Sequence, residues 1–563
     1  PLPNPPPPPP TEPPPRPATS TDTPLNTDPQ PRPRTRRPRR NIANYSTASE
    51  SSMRKSESSP DRDALLRADE TVVAFMSISR RASHVRTPLR SCHVPRSGRG
   101  GYLPAMQKRR SYRPPETRHP DVLIVGAGAV GASVALHAAR SGLQVLVVEK
   151  EAAPALHQSG RNSGVCHAGY NLKPGTQKAQ FCVEGSRRLR EWCATRGVPL
   201  EVGGILVVAT RESELPTLYE LKRRSEENGV RADLVGEEEI RSLEPHSTGL
   251  AALHAPEGAS FDTEAFVRSV LEEAQSHGAV VQYGVEVHAL IDGSDCARAR
   301  TDRRAIEAGV AVNCAGLQAD RVAGAVADDV RVIPFRGFYA ELVPGREHLV
   351  RSHVYRAPDM AWPFLGVHAS RRTDGRVLLG PGAMLAPGRE SYGLLGIHAE
   401  DMAATLSWPG FRKLLRDRRF RRMAVSEVRK NFQLREIWKE AVELIPDLRP
   451  ADLARSFAGN RAQLVRLDGT LVDDFLVRET KHCVHILNAV SPGLTGSLPF
   501  GEWVWQRAAD LANGASRSGQ GLGDRAGDDI FPDSRTATRE RSGSAGKTER
   551  GETGPAGSLD EVR

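Results

Sequence analysis

The chain has 563 residues, of which 38% are hydrophobic and 26% charged, and its formal net charge is +10. No stretch approaches the roughly eighteen apolar residues of a membrane-spanning helix, and the start lacks the apolar core of a secretory signal. The seven cysteines are scattered and form no CxxC pair, so we expect neither a disulfide framework nor a metal site. The predicted compartment is the cytoplasm of a bacterium or the mitochondrion of a eukaryote, and secretion is not expected.

Both ends of the chain differ in composition from its middle. Residues 1–119 open with PLPNPPPPPP, continue through PRPRTRRPRR and then become rich in Ser and Arg, while residues 512–563 are rich in Gly, Ser and charged residues. Such segments cannot bury enough apolar surface to offset the entropy of ordering them, so we predict two disordered tails. Whether residues 1–119 are a transit peptide, a linker or a start-site artefact is left open.

The positive charge lies in the N-terminal extension. Residues 1–119 contain 22 Lys and Arg against 10 Asp and Glu, whereas the rest of the chain contains 56 against 58. The predicted folded region, residues 120–511, therefore carries no large excess of positive charge. No nucleic-acid partner is expected for it.

Residues 121–150 predict a dinucleotide-binding unit. The apolar run 121–125 reads as a buried parallel strand, and Gly126, Gly128 and Gly131 follow it at once. The first glycine permits a tight turn, the second lets the backbone approach a pyrophosphate, and the third lets the next helix pack closely on its strand. The N-terminus of that helix would face the phosphates.

A second predicted strand, residues 144–148, ends at Glu149, whose carboxylate can accept the hydroxyls of an adenosine ribose. We assign the neighbouring Ala129 and Lys150 to the same cofactor site. Both NAD and FAD use this unit, so the loop alone leaves the choice between them open.

Two further glycine-containing turns predict additional cofactor contacts. The strand pattern 310–313 ends just before Ala315 and Gly316, where small residues would let the backbone come close to a dinucleotide. Gly493, Leu494 and Thr495 precede a helical stretch whose N-terminus could stabilise negative charge on the reduced ring of a flavin cofactor. The alternative is that these residues form ordinary turns.

Ten segments in order along the chain resemble one known family. They are SGRNSGV (159–165), HAG (167–169), KPG (173–175), GGILVVAT (203–210), NCAGLQADRVA (313–323), IPFRG (333–337), PFLGVH (363–368), DGRVLLGPGA (374–383), AGNRAQLV (458–465) and NAVSPGLTGSL (488–498). This set resembles the L-2-hydroxyglutarate dehydrogenase/oxidase family, within the wider group of D-amino-acid-oxidase-like flavoproteins. The resemblance covers residues 121–511.

The resemblance implies FAD as the cofactor and an α/β fold. A Rossmann-like FAD-binding domain, from segments of about 120–209, 250–330 and 452–511, would be interleaved with an α+β substrate-binding domain from about 210–249 and 331–451. The implied activity is oxidation of an L-2-hydroxy acid by hydride transfer to the flavin. The leading reaction is L-2-hydroxyglutarate to 2-oxoglutarate.

Oxidation of a hydroxy acid needs a base and a cation for the carboxylate. His167 is our candidate base, because a neutral imidazole can accept the hydroxyl proton near pH 7 and the family pattern has His at this position. Arg336 and Arg461 are our candidate carboxylate clamps, because a guanidinium matches a carboxylate in a two-bond fork. The competing interpretations are a structural histidine and solvated surface arginines.

Four other residues complete the predicted site. His368 is a second active-site candidate, and Tyr339 is a candidate hydrogen-bond partner of the substrate. Arg161 and Ser163 follow the ribose acid closely in the sequence, so we assign them to the cofactor.

Other functions stay open at this point. A related flavin enzyme could act on an amino acid, a secondary amine or glycerol 3-phosphate, and a protein of another class would bind flavin without catalysis. The electron acceptor, which could be oxygen, a quinone or an electron-transfer protein, has no short motif. Peripheral membrane contact is also left open.

Overall fold

The computed structural model describes residues 119–358, 366–393 and 396–514. The chain divides into two units, residues 1–71 and 72–563, and every described residue belongs to the second. The predicted tails lie outside the described residues, apart from residue 119 and residues 512–514, and so do residues 363–365 of the PFLGVH motif. Among the described helices, none combines the length and the apolar character that crossing a bilayer requires.

The helices of the described residues are distributed along the whole folded region. The α-helices span Ala129–Arg140, Gln177–Arg196, Leu215–Glu227, Glu237–Leu243, Thr263–Ser276, Ala319–Ala323, Ala399–Ser407, Pro409–Leu414, Arg418–Phe432, Leu434–Ala441 and Ser497–Ala512. Short 3-10 helices span Glu212–Glu214, Gly316–Gln318, Gly324–Ala327, Glu347–Leu349 and Pro450–Asp452.

A six-stranded sheet contains the predicted dinucleotide unit. In spatial order its strands are Leu476–Glu479, Cys483–Asn488, Val310–Asn313, Val122–Val125, Val145–Glu149 and Val280–Tyr283. All neighbouring strands run parallel except the first pair. Every residue of Val122–Val125 is buried, which confirms the predicted buried parallel strand.

Alternate residues of this strand face two different layers. Val122 and Ile124 pack in a core with the helices Ala129–Arg140, Thr263–Ser276 and Ser497–Ala512. Leu123 and Val125 pack in a second core with a three-stranded antiparallel sheet, which consists of Val287–Asp292, Ala297–Thr301 and Ala305–Ala308. Burial on both faces explains the continuous apolar sequence of the strand.

A nine-stranded sheet forms the other large layer. In spatial order it contains Met384–Leu385, Val330–Leu342, Val377–Gly380, His368–Arg371, His353–Arg356, Ile205–Ala209, Ala251–Ala255 and Asp233–Gly236, and Leu453–Arg466 pairs antiparallel with Val330–Leu342. One face of the sheet packs on the helix Leu434–Ala441. The other face carries Val207 and Tyr355 and packs against Ala168 and Tyr170.

A small antiparallel sheet completes the fold, and it consists of Val165–Cys166, Ala259–Phe261 and Leu200–Val202. The predicted α/β fold with interleaved segments is confirmed. Three strands that the sequence division gave to the cofactor segments belong to the nine-stranded sheet, namely Ile205–Ala209, Ala251–Ala255 and Leu453–Arg466. We propose domain boundaries that follow the sheets, because strand pairing joins residues that are distant in the sequence.

Gly185 brings the helix Gln177–Arg196 into contact with the loop before the last helix. A Cβ at this position would lie 2.3 Å from the carbonyl oxygen of Thr495 and 2.6 Å from the Cα of Gly496. The helix propensity of alanine is about 1 kcal/mol more favourable than that of glycine. In a helix that lacked this contact, Gly185→Ala would therefore be stabilising. We expect instead a loss of about 1–3 kcal/mol in the free energy of unfolding, because the contact becomes overpacked.

Chemical denaturation measures this effect, and Thr195→Ala is the matched control. Thr195 is exposed in the last turn of the same helix, so its replacement should change the free energy of unfolding by less than about 0.5 kcal/mol. A Gly185→Ala protein as stable as the parent would contradict the described packing.

Candidate active site

A cavity of about 830 Å³ lies where the carboxyl ends of the parallel strands meet the nine-stranded sheet. Ligands of open α/β sheets bind in this position. The cavity brings together all but one of the predicted site residues, namely Gly126, Gly128, Ala129, Gly131, Glu149, Lys150, Arg161, Ser163, His167, Ala315, Gly316, Tyr339, His368, Arg461, Gly493, Leu494 and Thr495. Arg336 is not among its lining residues.

Close backbone contacts hold the glycine-rich turn. Gly126 has a φ of +104°, a conformation that glycine adopts readily, and a Cβ there would lie 2.6 Å from the carbonyl oxygen of Cys314. A Cβ at Gly131 would lie 2.0 Å from the carbonyl oxygen of Gly126. These contacts let the helix Ala129–Arg140 begin directly at the turn.

Gly128 leaves open space on the cavity side of the turn. Among the described residues, only the Oγ of Ser159 would lie within 4 Å of a Cβ at this position, at 3.1 Å. The same Oγ accepts a hydrogen bond of 3.0 Å from the backbone N–H of Ala129, at the start of the helix. The space beside a helix N-terminus forms a cradle that fits an anionic pyrophosphate.

Glu149 is fixed at the cavity wall by two backbone hydrogen bonds. Its Oε2 accepts from the N–H of Ala127 at 2.7 Å, and its Oε1 accepts from the N–H of Glu151 at 3.0 Å. Each carboxylate oxygen has two lone pairs, so both oxygens can still accept a hydrogen bond from a hydroxyl group. The carboxylate therefore fits the ribose of a dinucleotide cofactor whose pyrophosphate lies at Gly128.

Side chains also hold the two other predicted cofactor loops. Asn313 is fully buried, and its Oδ1 accepts from the N–H of Ala315 at 3.1 Å. The Oγ1 of Thr495 accepts from the backbone N–H of His167 at 3.2 Å. The loop before the last helix is thereby joined to the candidate base.

His167, Tyr355 and His368 form a cluster on the cavity wall. The ring centres of Tyr355 and His368 are 4.1 Å apart, and those of His167 and Tyr355 are 6.5 Å apart. Burial and then the charge of Lys178 lower the pKa of His167 to about 4, and burial lowers the pKa of His368 to about 3. Both imidazoles are therefore neutral at pH 7, and each has one nitrogen that can accept a proton.

Arg461 adds a positive charge to this cluster. Burial raises the pKa of Tyr339, whereas the charge of Arg461 and a hydrogen bond with Ser163 lower it. The charge of Arg461 also lowers the pKa of His368. The cluster thus combines neutral proton acceptors with a permanent cation, a combination that suits an anionic substrate that gives up a proton.

Arg336 lies on the opposite face of its strand. Successive residues of Val330–Leu342 point to alternate faces, so Gly337 and Tyr339 line the cavity while Arg336 does not. The side chain of Arg336 is buried, and its Nη1 donates to the carbonyl oxygen of Gly393 at 2.8 Å. The geometry therefore gives Arg336 a structural contact and does not bring it into the cavity as a carboxylate clamp.

Sequence reasoning missed several residues of the cavity wall, among them Tyr355 and Lys178. Tyr355 stacks on His368, but its strand carries no recognisable motif. Lys178 lines the cavity and donates from its Nζ to the Oδ1 of Asp473 at 3.0 Å. A lysine in the first turn of a charged helix resembles a solvated residue, and only its position beside the KPG motif could have indicated otherwise.

A family model described as FAD dependent oxidoreductase, or DAO, matches residues 121–507. The L-2-hydroxyglutarate dehydrogenase of Indibacter alkaliphilus is 36% identical over 396 residues, which cover 69% of this chain and 99% of that protein. The enzyme of the same name from Escherichia coli K12 is 33% identical, and the match covers 71% of this chain and 96% of that protein. The mitochondrial L-2-hydroxyglutarate dehydrogenase of Caenorhabditis elegans is 34% identical, and the match covers 69% of this chain and 93% of that protein.

Solved structures share the fold at lower identity. The L-α-glycerophosphate oxidase of Mycoplasma pneumoniae with FAD bound gives a TM-score of 0.55 at 23% identity, covering 70% of this chain and 95% of that one. Glycine oxidase from Geobacillus kaustophilus gives a TM-score of 0.53 at 17% identity, and the match covers 74% of this chain and 100% of that one. Together with the match over residues 121–507, the cradle at Gly128 and the carboxylate of Glu149, these findings show that the chain belongs to the DAO family of FAD-dependent oxidoreductases, with FAD as its cofactor.

Proposed function

We propose that this oxidoreductase converts an L-2-hydroxy acid to the 2-oxo acid, with L-2-hydroxyglutarate to 2-oxoglutarate as the leading reaction. The observation that carries the proposal is the similarity to proteins named L-2-hydroxyglutarate dehydrogenase over 93% to 99% of their length. The neutral histidines and the arginine of the cavity support it, because the substrate is an anion that must lose its hydroxyl proton.

Four side chains of the cavity wall have roles in this proposal. His167 accepts the hydroxyl proton, since its lowered pKa keeps the imidazole neutral. Arg461 binds the carboxylate next to the hydroxyl, and Tyr339 donates a hydrogen bond to the substrate. His368 is the second candidate for proton transfer. Bound FAD supplies the hydride acceptor.

A dicarboxylic substrate needs a second cation. Arg336 contacts the carbonyl oxygen of Gly393 and is absent from the cavity lining. We propose Lys178 in its place, because Lys178 lines the cavity and its charge acts on His167.

Anaerobic reduction of the bound flavin tests the proposed substrate. L-2-hydroxyglutarate should bleach the flavin and yield one 2-oxoglutarate per flavin. Bleaching by an amino acid, a secondary amine or glycerol 3-phosphate in its place would support a related flavin oxidase. No bleaching by any of these compounds would support a flavin-binding protein without catalysis.

His167→Gln should slow flavin reduction roughly a hundredfold to ten-thousandfold, the usual contribution of a general base, while substrate affinity stays close to that of the parent. Rapid-mixing absorbance of the flavin measures both quantities. His277→Gln, on an exposed helix end, is the control. Unchanged flavin reduction in His167→Gln would remove His167 as the base.

Arg461→Met should weaken substrate binding roughly tenfold to a hundredfold, because the carboxylate loses a charged two-bond partner in a partly desolvated site. Arg336→Met is the contrasting variant: it should lower thermal stability and leave the dissociation constant of the substrate within about threefold. Flavin absorbance at increasing substrate concentration measures the affinity. Equal weakening by both changes would contradict these separate assignments.

The proposal also concerns the electron acceptor and the cellular compartment. We propose that the protein meets its acceptor at a membrane surface, with oxygen, a quinone and an electron-transfer protein as the candidate acceptors. Residues 412–422 contain seven Lys and Arg against one Asp, and Val428 and Phe432 are exposed on the helix Arg418–Phe432. A basic surface with exposed apolar side chains is typical of binding to anionic lipid. Bacterial cytoplasm or mitochondrion stays the predicted compartment.

Sedimentation with vesicles tests the membrane contact. The protein should bind vesicles that contain phosphatidylglycerol and not vesicles of phosphatidylcholine alone, and binding should be lost when three exposed arginines are reversed by Arg418→Glu, Arg421→Glu and Arg422→Glu. The matched control reverses exposed arginines elsewhere by Arg231→Glu, Arg241→Glu and Arg303→Glu. Equal binding of both triple variants would contradict this surface.

A further inference from the structure

Residues 388–393 form a segment that is anchored firmly beside the cavity. Arg389 makes a two-bond ion pair with Asp320, and both side chains are only 3% exposed. The Nδ2 of Asn460 donates to the carbonyl oxygens of Arg389 at 2.9 Å and Ser391 at 3.3 Å. With the contact of Arg336 to Gly393, these bonds hold the segment at several points of its backbone.

Glu390 joins this segment to two of the cofactor loops. Its Oε1 accepts from the Nε2 of Gln318 at 2.8 Å, and its Oε2 forms an ion pair with the Nζ of Lys150. Lys150 directly follows Glu149, and Gln318 lies two residues after Gly316. Glu390 therefore bridges the segments that follow two strands of the six-stranded sheet, Val145–Glu149 and Val310–Asn313.

Tyr392 makes a second connection to the same side of the cavity. Its hydroxyl lies 2.6 Å from the Nδ1 of His157. The guanidinium carbon of Arg161 lies 4.1 Å from the centre of its ring, a distance typical of a cation–π contact. Lys150, His157, Arg161, Gln318 and Glu390 all line the cavity.

Charge pairing explains the acidic residues of this cluster. Glu151, His157 and Glu390 place ligand atoms within 4.8 Å of one another, but the Nζ of Lys150 contacts both carboxylates, at 3.1 Å for Glu151. Burial alone would lower the pKa of Lys150, yet Glu390 and Glu151 raise it. A protonated lysine thus pairs with both carboxylates, and the cluster links the segments that carry these side chains.

We propose that residues 388–393 act as a retention strap for FAD, with Glu390 and Tyr392 as the positioning residues that hold it closed against the cofactor loops. Glu390 and Ser391 themselves line the cavity. A ligand that a segment of the chain covers is released when that segment opens, so its release rate rises with the population of the opened states. The contacts of Glu390 and Tyr392 lower that population. This inference concerns the cofactor and does not depend on the identity of the substrate.

The rate of FAD release from the purified holoenzyme tests the strap. The protein is diluted with a phosphodiesterase that cleaves only free FAD, and the increase in flavin fluorescence is followed. Glu390→Gln should release FAD roughly tenfold faster, because it loses a charge-assisted contact with Lys150. Tyr392→Phe should release it about threefold faster, because it loses the contact with His157 but keeps the ring over Arg161. Circular dichroism with excess FAD verifies that each variant is folded.

The control is Glu257→Gln, which removes a carboxylate that pairs with Arg190 on the surface and should leave the release rate within about twofold. A double-mutant cycle separates the strap contact from a general loss of stability. In a Lys150→Met background, Glu390→Gln should accelerate release by no more than about twofold, because its partner is already absent. Unchanged release in Glu390→Gln and Tyr392→Phe, or a tenfold effect of Glu390→Gln that persists without Lys150, would overturn the proposal.

Discussion

The cavity depends on direct backbone-to-backbone contact at glycines. A Cβ at Gly126, Gly185 or Gly459 would lie 2.0 Å to 2.6 Å from a carbonyl oxygen of another segment. These contacts join the glycine-rich turn to the loop at Cys314, the helix Gln177–Arg196 to the loop before the last helix, and the strand Leu453–Arg466 to the segment around Arg161. Protein interiors are close-packed, so a side chain at any of these points must separate the walls. The position of His167, which Thr495 holds through a backbone bond, follows from the same packing.

The cofactor half of the site could be predicted from the sequence because its parts are local. A buried strand, a glycine turn, a helix and an acidic residue lie between residues 121 and 149, and each has its own physical requirement in that order. The bonds of Glu149 to Ala127 and Glu151 show how local this geometry is. The approach of the loops at Gly316 and Thr495 is long-range, but small residues at the ends of a strand and before a helix still indicated it.

The substrate half could be predicted only in part, because it depends on strand register. Arg336 and Tyr339 lie three residues apart in one strand, and only the pairing of Val330–Leu342 with Leu453–Arg466 determines which of them faces the cavity. These two strands are more than a hundred residues apart in the sequence. Tyr355 and Glu390 were missed for the same reason, since neither carries a local pattern that indicates its distant partner.

The electrostatic environment of the cavity matches the proposed chemistry. Burial keeps His167 and His368 neutral, whereas Arg461 stays charged beside them. The central claim is that FAD bound in this cavity would accept the hydride from C2 of L-2-hydroxyglutarate while His167 accepts the hydroxyl proton. Rapid-mixing flavin reduction with substrate deuterated at C2 tests this claim most directly. We expect the substrate deuterated at C2 to reduce the flavin more slowly than the unlabelled substrate. Equal rates for the two substrates, or no reduction by either, would contradict the account.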